Sequence, residues 1–226
     1  MNEKYQIAID GPASAGKSTV AKIVAKDLQY VYCDTGAMYR AVTLKAMENG
    51  IDVNDEIKIG KMLDDTKITF KPGDPVQKVF LDGTEVTEKI RQTNVTNLVS
   101  TVAAQKRVRE VLTDWQRQLA SDGGIVMDGR DIGSSVLPKA EVKIFLIASV
   151  DERAERRYKE NLAKGMNVSL DQLKKEIEIR DQKDSTRKIS PLTKAADAVE
   201  VDTTSMTIDD VVNKILEIVD SVSMRK

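Results

Sequence analysis

The sequence contains no histidine, a single cysteine and few aromatic residues. Without histidine the commonest general base and metal ligand is missing, so any catalysis must rely on carboxylates, lysine, arginine or a bound cation. The single cysteine, Cys33, excludes a disulfide within the chain, as we expect for a protein of the reducing cytoplasm. Aromatic residues make up 4% of the chain, which leaves no stacking platform for single-stranded nucleic acid.

An excess of one charge and long apolar runs are also missing. The 226 residues include 35 basic and 36 acidic residues, so the net charge gives no indication of nucleic-acid or anionic-membrane binding. No apolar run approaches the ~18 residues of a membrane span, and the N-terminus has no signal-peptide pattern. We therefore expect a cytoplasmic protein that binds small molecules rather than nucleic-acid polymers or membranes. Nothing in the sequence indicates an obligate dimer, so a monomer is the default expectation.

Candidate strands alternate with helical segments, which favours an α/β fold with a central parallel sheet flanked by helices. Five buried strands are predicted at 5–9, 30–33, 125–127, 142–147 and 198–201. Two segments break the alternation: 67–90 is typical of a small antiparallel insertion, and 151–190 is dense in charge, as in a mobile lid or a merely polar surface. Residues 94–120 are predicted to form one long helix. A last helix begins near Thr207 and Asp210, with a buried stripe of Ile208, Val211, Val212, Ile215 and Val219.

Residues 11–18 have the spacing G-x-x-x-x-G-K-[ST] of a phosphate-binding loop. An apolar strand precedes them and a helical pattern follows, which is the context that this loop requires. The two glycines let backbone N–H groups face phosphate oxygens; Lys17 would contact the β- and γ-phosphates, and the Ser18 hydroxyl would bind Mg²⁺. This segment predicts binding of a nucleoside triphosphate, but switches, motors and small kinases share the loop, so it leaves the reaction open.

Charged residues follow two further predicted strands. Asp128 ends an apolar strand, ahead of Arg130 and Asp131, where it could orient Mg²⁺ or its water ligands; an ordinary turn is the alternative interpretation. In the segment DTGAMYR (34–40), Arg40 and a helix N-terminus suggest a second anion site. Helix capping by Asp34 or Thr35 beside a solvated arginine remains the alternative.

Arginines also recur at helical spacing in the charged segment. Arg180, Asp184 and Arg187 share one helix face, and Arg153 and Arg157 are four residues apart. Such residues often serve solubility alone. Arginines that move over a triphosphate would instead offset the charge of the transferring phosphoryl group. The number of separate arginine clusters favours an acceptor that is itself a phosphate.

Five segments together resemble the bacterial cytidylate kinases of the nucleoside monophosphate kinase group, in the same order: GPASAGKST, DTGAMYR, VSTVAAQKRVRE, MDGRDIG and RDQKDSTR. The resemblance extends from Ile7 to about Asp202. It implies transfer of the γ-phosphoryl group of ATP to CMP or dCMP, with Mg²⁺, giving CDP or dCDP. It also implies a monophosphate-binding insertion at about 63–91, a lid at about 151–190 and a core formed by 1–62, 92–150 and 191–226.

The resemblance assigns roles to the residues at matching positions. ATP would be bound by Gly11, Pro12, Ala13, Ser14, Ala15, Gly16, Lys17, Ser18 and Thr19, together with Arg153 and Arg157. The acceptor phosphate would face Thr35, Arg40, Arg130 and Arg187; the cytosine would contact Ser100, Arg109 and Asp131; and the pentose would contact Arg180 and Asp184. The catalytic group would be Lys17, Asp128, Arg130 and Arg187, with Mg²⁺ bound by Ser18 and, through water, by Asp128.

The base-contacting set agrees with the chemistry of cytosine. Its N4 amino group donates a hydrogen bond beside the N3 and O2 acceptors, so one carboxylate and one or two donors complement it. Uracil would instead place a carbonyl against Asp131, and the two acceptors would repel each other. The chain departs from the family pattern at Ser134 and Ser135, where we expect a threonine and an apolar residue, which predicts weaker local packing.

Two other function classes remain open. A kinase for another small acceptor, UMP or a shikimate-like compound, would share the core and the lid, although a shikimate-type kinase needs no base-contacting set. A guanine-nucleotide switch should carry [NT]-K-x-D, and neither Asn213-Lys214 nor Thr193-Lys194 is followed by an acid at the required position.

Overall fold

The computed structural model describes residues 4–73, 77–163 and 165–224. Within these residues the chain forms two compact units, one from the segments up to Tyr32 and from Ala120 onward, the other from Cys33 to Leu119. In chain order the elements are β1 (Gln6–Asp10), α1 (Lys17–Asp27), β2 (Val31–Asp34), α2 (Thr35–Glu48), α3 (Glu56–Asp64), β3 (Ile68–Lys71), β4 (Lys78–Leu81), β5 (Thr84–Glu85), α4 (Thr93–Ala103), α5 (Lys106–Leu119), β6 (Ile125–Gly129), β7 (Val142–Ile147), α6 (Val150–Ala163), α7 (Leu170–Thr186), β8 (Val199–Asp202) and α8 (Ile208–Ser223). A 3-10 turn spans Lys89–Arg91, and a single π-helical turn spans Ile132–Val136.

A five-stranded parallel sheet is the centre of the α/β fold, as predicted, with strand order β2–β6–β1–β7–β8. The first unit packs its apolar core against this sheet, with Ile7, Ile144 and Leu146 from strands and Val24 and Ile215 from helices α1 and α8. Strand β1 pairs with β6 so that Ile9 lies opposite Asp128. The register therefore brings the carboxyl ends of the two strands, where ligands bind in open parallel sheets, to the same level.

The second unit contains the predicted antiparallel insertion. Strands β3, β4 and β5 form a three-stranded sheet in that order, with Phe70 opposite Val79 and Phe80 opposite Glu85. Val79 packs with apolar residues of α2 and of the 3-10 turn, including Ala41 and Ile90, in the core of this unit.

The prediction of one helix over 94–120 is wrong, because the chain breaks into α4 and α5 at Ala104 and Gln105. The break is stabilised by one side chain of α5 and by one of α3. The Arg109 guanidinium donates a hydrogen bond to the carbonyl of Ala103, and the Glu56 carboxylate accepts one from the N–H of Arg107. Backbone groups that a continuous helix would pair internally are satisfied here by side chains.

The predicted start of α8 is confirmed, whereas one residue of its predicted stripe is not buried. Thr207 and Asp210 form a capping box in which each side chain bonds the backbone of the other. Val211 and Ile215 belong to the core, but Ile208 is 52% exposed. As the first helical residue it precedes the turn that packs against the sheet.

The charged segment forms the two helices α6 and α7, which pack on each other through a small apolar cluster of Ala154, Leu173 and Ile177. The segment thus has an apolar contact of its own despite its charge. Among the described residues, no helix is both long enough and apolar enough to cross a membrane.

Candidate active site

The phosphate loop, residues 11–18, connects β1 to α1 and is shaped by left-handed backbone. Gly11 has φ +147°, and a Cβ built on it would lie 2.1 Å from the carbonyl oxygen of Leu146, so no side chain fits there. Gly16 has φ +86° immediately before α1 begins at Lys17. The helix N-terminus therefore follows the loop directly, and because the first N–H groups of a helix have no intrahelical partners, it can bind an anion there.

Lys17 is 5% exposed, and its ammonium group donates to the carbonyl of Pro12 at 2.5 Å. Burial lowers the pKa of Lys17 well below its usual range; the nearby Arg130 lowers it further, while Asp128 acts in the opposite direction. A cation in this environment gains most from an added negative charge. The phosphates of a nucleotide would supply that charge.

Ser18 and Asp128 are in direct contact, because the Ser18 hydroxyl donates to the Asp128 carboxylate at 2.8 Å. The other oxygen of Asp128 accepts from the Tyr32 hydroxyl, also at 2.8 Å. Hard oxygen ligands suit Mg²⁺, which keeps water and phosphate oxygens as its other ligands, so this pair fits the ion. Over 4–73, 77–163 and 165–224 there is no cluster of three or more His, Cys, Asp or Glu residues that could hold a metal by itself.

Two acid–arginine pairs join the loop after β6 to the end of α7. Arg130 donates to Asp184 at 3.0 Å, and Arg187 donates to Asp131 at 3.0 Å, with the side chains of Asp131, Asp184 and Arg187 almost fully buried. Burial alone would raise the pKa of Asp184, but the guanidinium groups of Arg130, Arg180 and Arg187 lower it below its usual value. The structure therefore brings together four of the residues predicted for the acceptor site, namely Arg130, Asp131, Asp184 and Arg187.

Arg153 is buried next to the phosphate loop, and its guanidinium group donates hydrogen bonds to other groups of the protein. Its Nη1 donates to the carbonyl of Ala13 at 3.1 Å and to Asp181, and its Nε donates to Ala148. Asp181 in turn accepts from the N–H of Ala13 at 3.3 Å. Arg157 is more exposed and lies 3.8 Å from Glu160 on the same helix.

In the second unit, Asp34 anchors the predicted anion-binding segment. Its carboxylate caps α2 by accepting from the N–H of Ala37 at 2.8 Å, so Asp34 rather than Thr35 is the capping residue. The same carboxylate pairs with Arg40 at 3.1 Å and with Arg91 at 3.3 Å. A Cβ at Gly36 would lie 3.2 Å from an Arg40 nitrogen, so the absence of a side chain there leaves room for the guanidinium.

Arg109 and Ser100, the predicted base-contacting residues of the second unit, lie on α5 and α4. The Arg109 guanidinium is 5.5 Å from the ring centre of Tyr39, which is a cation–π distance, and donates to Ala103. Ser100 is half-buried.

Several residues of this region were missed by the sequence patterns. Tyr32, Asp181 and Arg91 act through hydrogen bonds to groups distant in the chain, and no local spacing indicates them. Asp10 was missed as well, although it directly precedes the phosphate loop and is 4% exposed. An acidic residue that ends an apolar strand directly before a recognised motif is the sequence signal that could have indicated it.

The chain is similar to cytidylate kinases over almost its whole length. The family model described as cytidylate kinase matches residues 7–221. The cytidylate kinase of Pediococcus pentosaceus is 81% identical over 226 residues, covering 100% of both chains. That of Listeria monocytogenes is 64% identical over 218 residues, covering 96% of this chain and 97% of its own.

Solved structures of lower identity share the fold alone. A gluconokinase from Sinorhizobium meliloti has a TM-score of 0.53 at 15% identity, covering 100% of this chain and 97% of its own. A shikimate kinase from Bacteroides thetaiotaomicron has a TM-score of 0.50 at 13% identity, covering 96% of this chain and 99% of its own. Phosphate loop, strand-end carboxylate, arginine pairs and family match agree, and the chain belongs to the cytidylate kinase family.

Proposed function

We propose that this protein transfers the γ-phosphoryl group of ATP to CMP and dCMP, giving ADP and CDP or dCDP. The family match supports the reaction class. The observation that carries the proposal is the set of cations beside the phosphate loop: Lys17 is buried, and Arg130 and Arg187 are each held by a carboxylate. Phosphoryl transfer needs positioning and charge stabilisation rather than covalent chemistry by the protein, and such fixed cations supply both.

On the donor side, the backbone of residues 11–19 would bind the phosphates of ATP, with Lys17 on the β- and γ-phosphates. Ser18 and Asp128 would hold Mg²⁺, with Asp128 acting through a water molecule, and the ion supplies positive charge against the triphosphate. Tyr32 keeps the Asp128 carboxylate in place through its hydroxyl. Arg153 stabilises the phosphate loop by donating to the carbonyl of Ala13. We also assign Arg153 and Arg157 to contacts with ATP.

On the acceptor side, we assign Arg130 and Arg187 to the phosphate of CMP, and Arg180 and Asp184 to its pentose. Asp131 would accept a hydrogen bond from the N4 amino group of cytosine. Its contact with Arg187 holds the carboxylate in one orientation, since both side chains are almost fully buried. A buried carboxylate can accept a hydrogen bond only from a donor, and the O4 of uracil is an acceptor. The site should therefore discriminate strongly against uracil.

For the second unit, we assign Thr35 and Arg40 to the phosphate of CMP, and Ser100 and Arg109 to its base. The Asp34 carboxylate contacts both Arg40 and Arg91 and so brings two guanidinium groups close together, an arrangement that favours binding of a phosphate. We further propose that α6 and α7 act as a lid, and that the protein acts as a monomer in the cytoplasm, where its buried Cys33 stays reduced.

The test is a coupled ADP-release assay with ATP, Mg²⁺ and a panel of acceptors. We expect turnover with CMP and dCMP, weak turnover with UMP, and none with AMP, GMP or shikimate. Omitting Mg²⁺ and adding a chelator should abolish turnover. Preferential use of shikimate, of UMP or of a purine monophosphate would contradict the proposal.

A further inference from the structure

Asp10 links the phosphate loop to the loop that carries Asp131. It is the last residue of β1, and both oxygens of its buried carboxylate accept hydrogen bonds from backbone groups 122 and 123 residues away in sequence. One oxygen accepts from the N–H of Ile132 at 2.8 Å and the other from the N–H of Gly133 at 2.7 Å. These distances are those of strong, charge-assisted hydrogen bonds.

The two N–H groups belong to the start of the π-helical turn Ile132–Val136. The first N–H groups of any helical turn have no partner within it and must be satisfied by another group. Single π-helical turns inside proteins are rare and occur frequently at functional sites. Asp10 supplies the missing acceptor for both groups, and thereby determines how this turn is oriented relative to β1.

Asp131 is the residue immediately before the turn, so its position follows from that orientation. Its carbonyl oxygen accepts from the N–H groups of Ser135 and Val136, and its side chain accepts from Arg187. Asp131 is therefore held at its carbonyl by the turn and at its carboxylate by Arg187. Asp10 holds the turn itself.

A buried carboxylate at position 10 is not the side chain that would give the fold its highest stability. Burial raises the pKa of Asp10 to about 6, and the neighbouring Asp131 adds to the effect, while the hydrogen bonds from Gly133 and Ile132 and the charge of Lys17 oppose it. A buried charge seldom increases stability over a neutral group of the same shape. A carboxylate that accepts two adjacent N–H groups does, however, fix their geometry, since an amide offers one acceptor atom in place of two.

We propose that Asp10 is a positioning residue for base recognition: it holds the turn 132–136 so that the Asp131 carboxylate faces the cytosine of the acceptor. The inference rests on the proposed role of Asp131. Because Gly11 follows Asp10 directly, the same backbone segment sets the position of the ATP phosphates and, through the turn, that of the acceptor base.

The first test is Asp10→Asn, which keeps the shape and loses one acceptor. Misplacement of a binding group by about 1 Å can reduce catalysis by ~100-fold. We expect kcat/KM for CMP to fall between about 10- and 100-fold, mainly through KM for CMP, and the preference for CMP over UMP to fall about 10-fold. KM for ATP should stay within about twofold. Val219→Ala in the core of α8 is the control for lost stability, and should leave all three quantities unchanged.

Gly133→Ala tests the same contact without altering any charge near Lys17. A Cβ on Gly133 would lie 3.2 Å from side-chain carbons of Lys143 and 3.5 Å from an oxygen of Asp10, so the turn or the Lys143 side chain must shift by a few tenths of an ångström. The Lys143 side chain is itself held by Asp197 and the carbonyl of Pro138, which favours a shift of the turn. We expect a smaller loss of the same kind, in KM for CMP and in base preference. If Asp10→Asn does not fold, as judged by circular dichroism, Gly133→Ala decides the question.

A double-mutant cycle with Asp131→Ala separates the two proposals. If Asp10 acts through Asp131, adding Asp10→Asn to Asp131→Ala should produce little further loss with CMP. Additive losses, or equal losses with CMP and UMP, would overturn the positioning role while leaving that of Asp131 intact. An unchanged base preference in Asp131→Ala alone would overturn the role of Asp131 and the inference with it.

Discussion

The phosphate loop and the acid–arginine pairs beside it are assembled in opposite ways. In the loop, Lys17 bonds to Pro12, five residues earlier, and the turn is imposed by glycines at fixed spacing. In the pairs, Arg130 lies 54 residues from Asp184, and Arg187 lies 56 residues from Asp131. The loop is local in sequence, whereas the pairs depend on how α7 packs in the first unit.

This difference separates the two halves of the proposed reaction. Changes in the loop should abolish transfer to every acceptor alike, because all acceptors share the donor. A change at Asp131 should alter which acceptor is used, whereas changes at Arg130 or Arg187 should weaken the binding and slow the phosphorylation of every monophosphate acceptor. The predictions below test this separation, beginning with the largest expected effect.

Lys17→Ala should leave the fold intact and reduce kcat by about 1000-fold with CMP and with UMP alike, since it removes a fixed charge at the transferring group. Steady-state kinetics with both acceptors provide the measurement. Lys26→Ala, an exposed lysine on the same helix, is the matched control and should be near normal. Near-normal turnover of a folded Lys17→Ala protein would contradict the assignment of the loop.

Asp10 should give the wild type a distinctive dependence of stability on pH. Burial raises the pKa of Asp10 from 3.8 to about 6, so the folded protein holds this proton more tightly than the unfolded chain does. The stability that Asp10 contributes in this way is therefore full below about pH 3.8 and is lost as the pH rises to about 6. Compared with Asp10→Asn, the wild type should therefore lose roughly 3 kcal/mol of unfolding free energy over this interval. Urea unfolding of both proteins between pH 4 and pH 7 measures the difference, and parallel profiles would argue against a raised pKa of Asp10.

Arg40→Ala should raise KM for CMP about 10-fold and leave the preference for CMP over UMP unchanged, because the phosphate is common to both acceptors. Kinetics at saturating ATP measure both quantities. Lys89→Ala, an exposed cation that pairs with Glu48 in the same unit, is the control. A shift in base preference for Arg40→Ala would mean that the residue contacts more than the phosphate.

The proposed lid should show the smallest effect, visible only in dynamics. The apolar cluster of Ala154, Leu173 and Ile177 joins α6 to α7, whereas polar contacts such as Arg130–Asp184 connect these helices to the rest of the first unit, so few apolar contacts should oppose opening. Amide exchange in 150–163 and 170–186 should slow several-fold when ATP and CMP analogues bind together, while exchange in α8 stays unchanged. Equal exchange with and without ligands would favour a static polar surface.

Features that are local in sequence were predicted better than features that depend on distant residues. The strands, the phosphate loop and the capping box of α8 depend on local patterns, and all were predicted correctly. The break between α4 and α5 was not, because it is stabilised by Glu56 from α3 and by the Arg109 side chain folding back to Ala103, and helical periodicity shows neither contact. The exposure of Ile208 was missed because periodicity does not show where packing against the sheet begins.

The candidate site shows the same limit. Lys17, Ser18 and Asp128 follow from motif and strand-end position, and Ser18 does contact Asp128. Tyr32 and Arg91 could not be predicted, since each matters only through a carboxylate that the fold brings to it. The resemblance to a family supplied roles for the paired arginines, and these roles stay predictions until substrates are tested.

The most direct test of this account is the ratio of kcat/KM for CMP to kcat/KM for UMP in Asp131→Ala. A carboxylate that recognises the N4 amino group should contribute about 1–3 kcal/mol of discrimination, so the ratio should fall about 10- to 100-fold. KM for ATP should change little, because the phosphate loop is intact. A folded Asp131→Ala protein that keeps the wild-type ratio would contradict the account, and would place base recognition elsewhere.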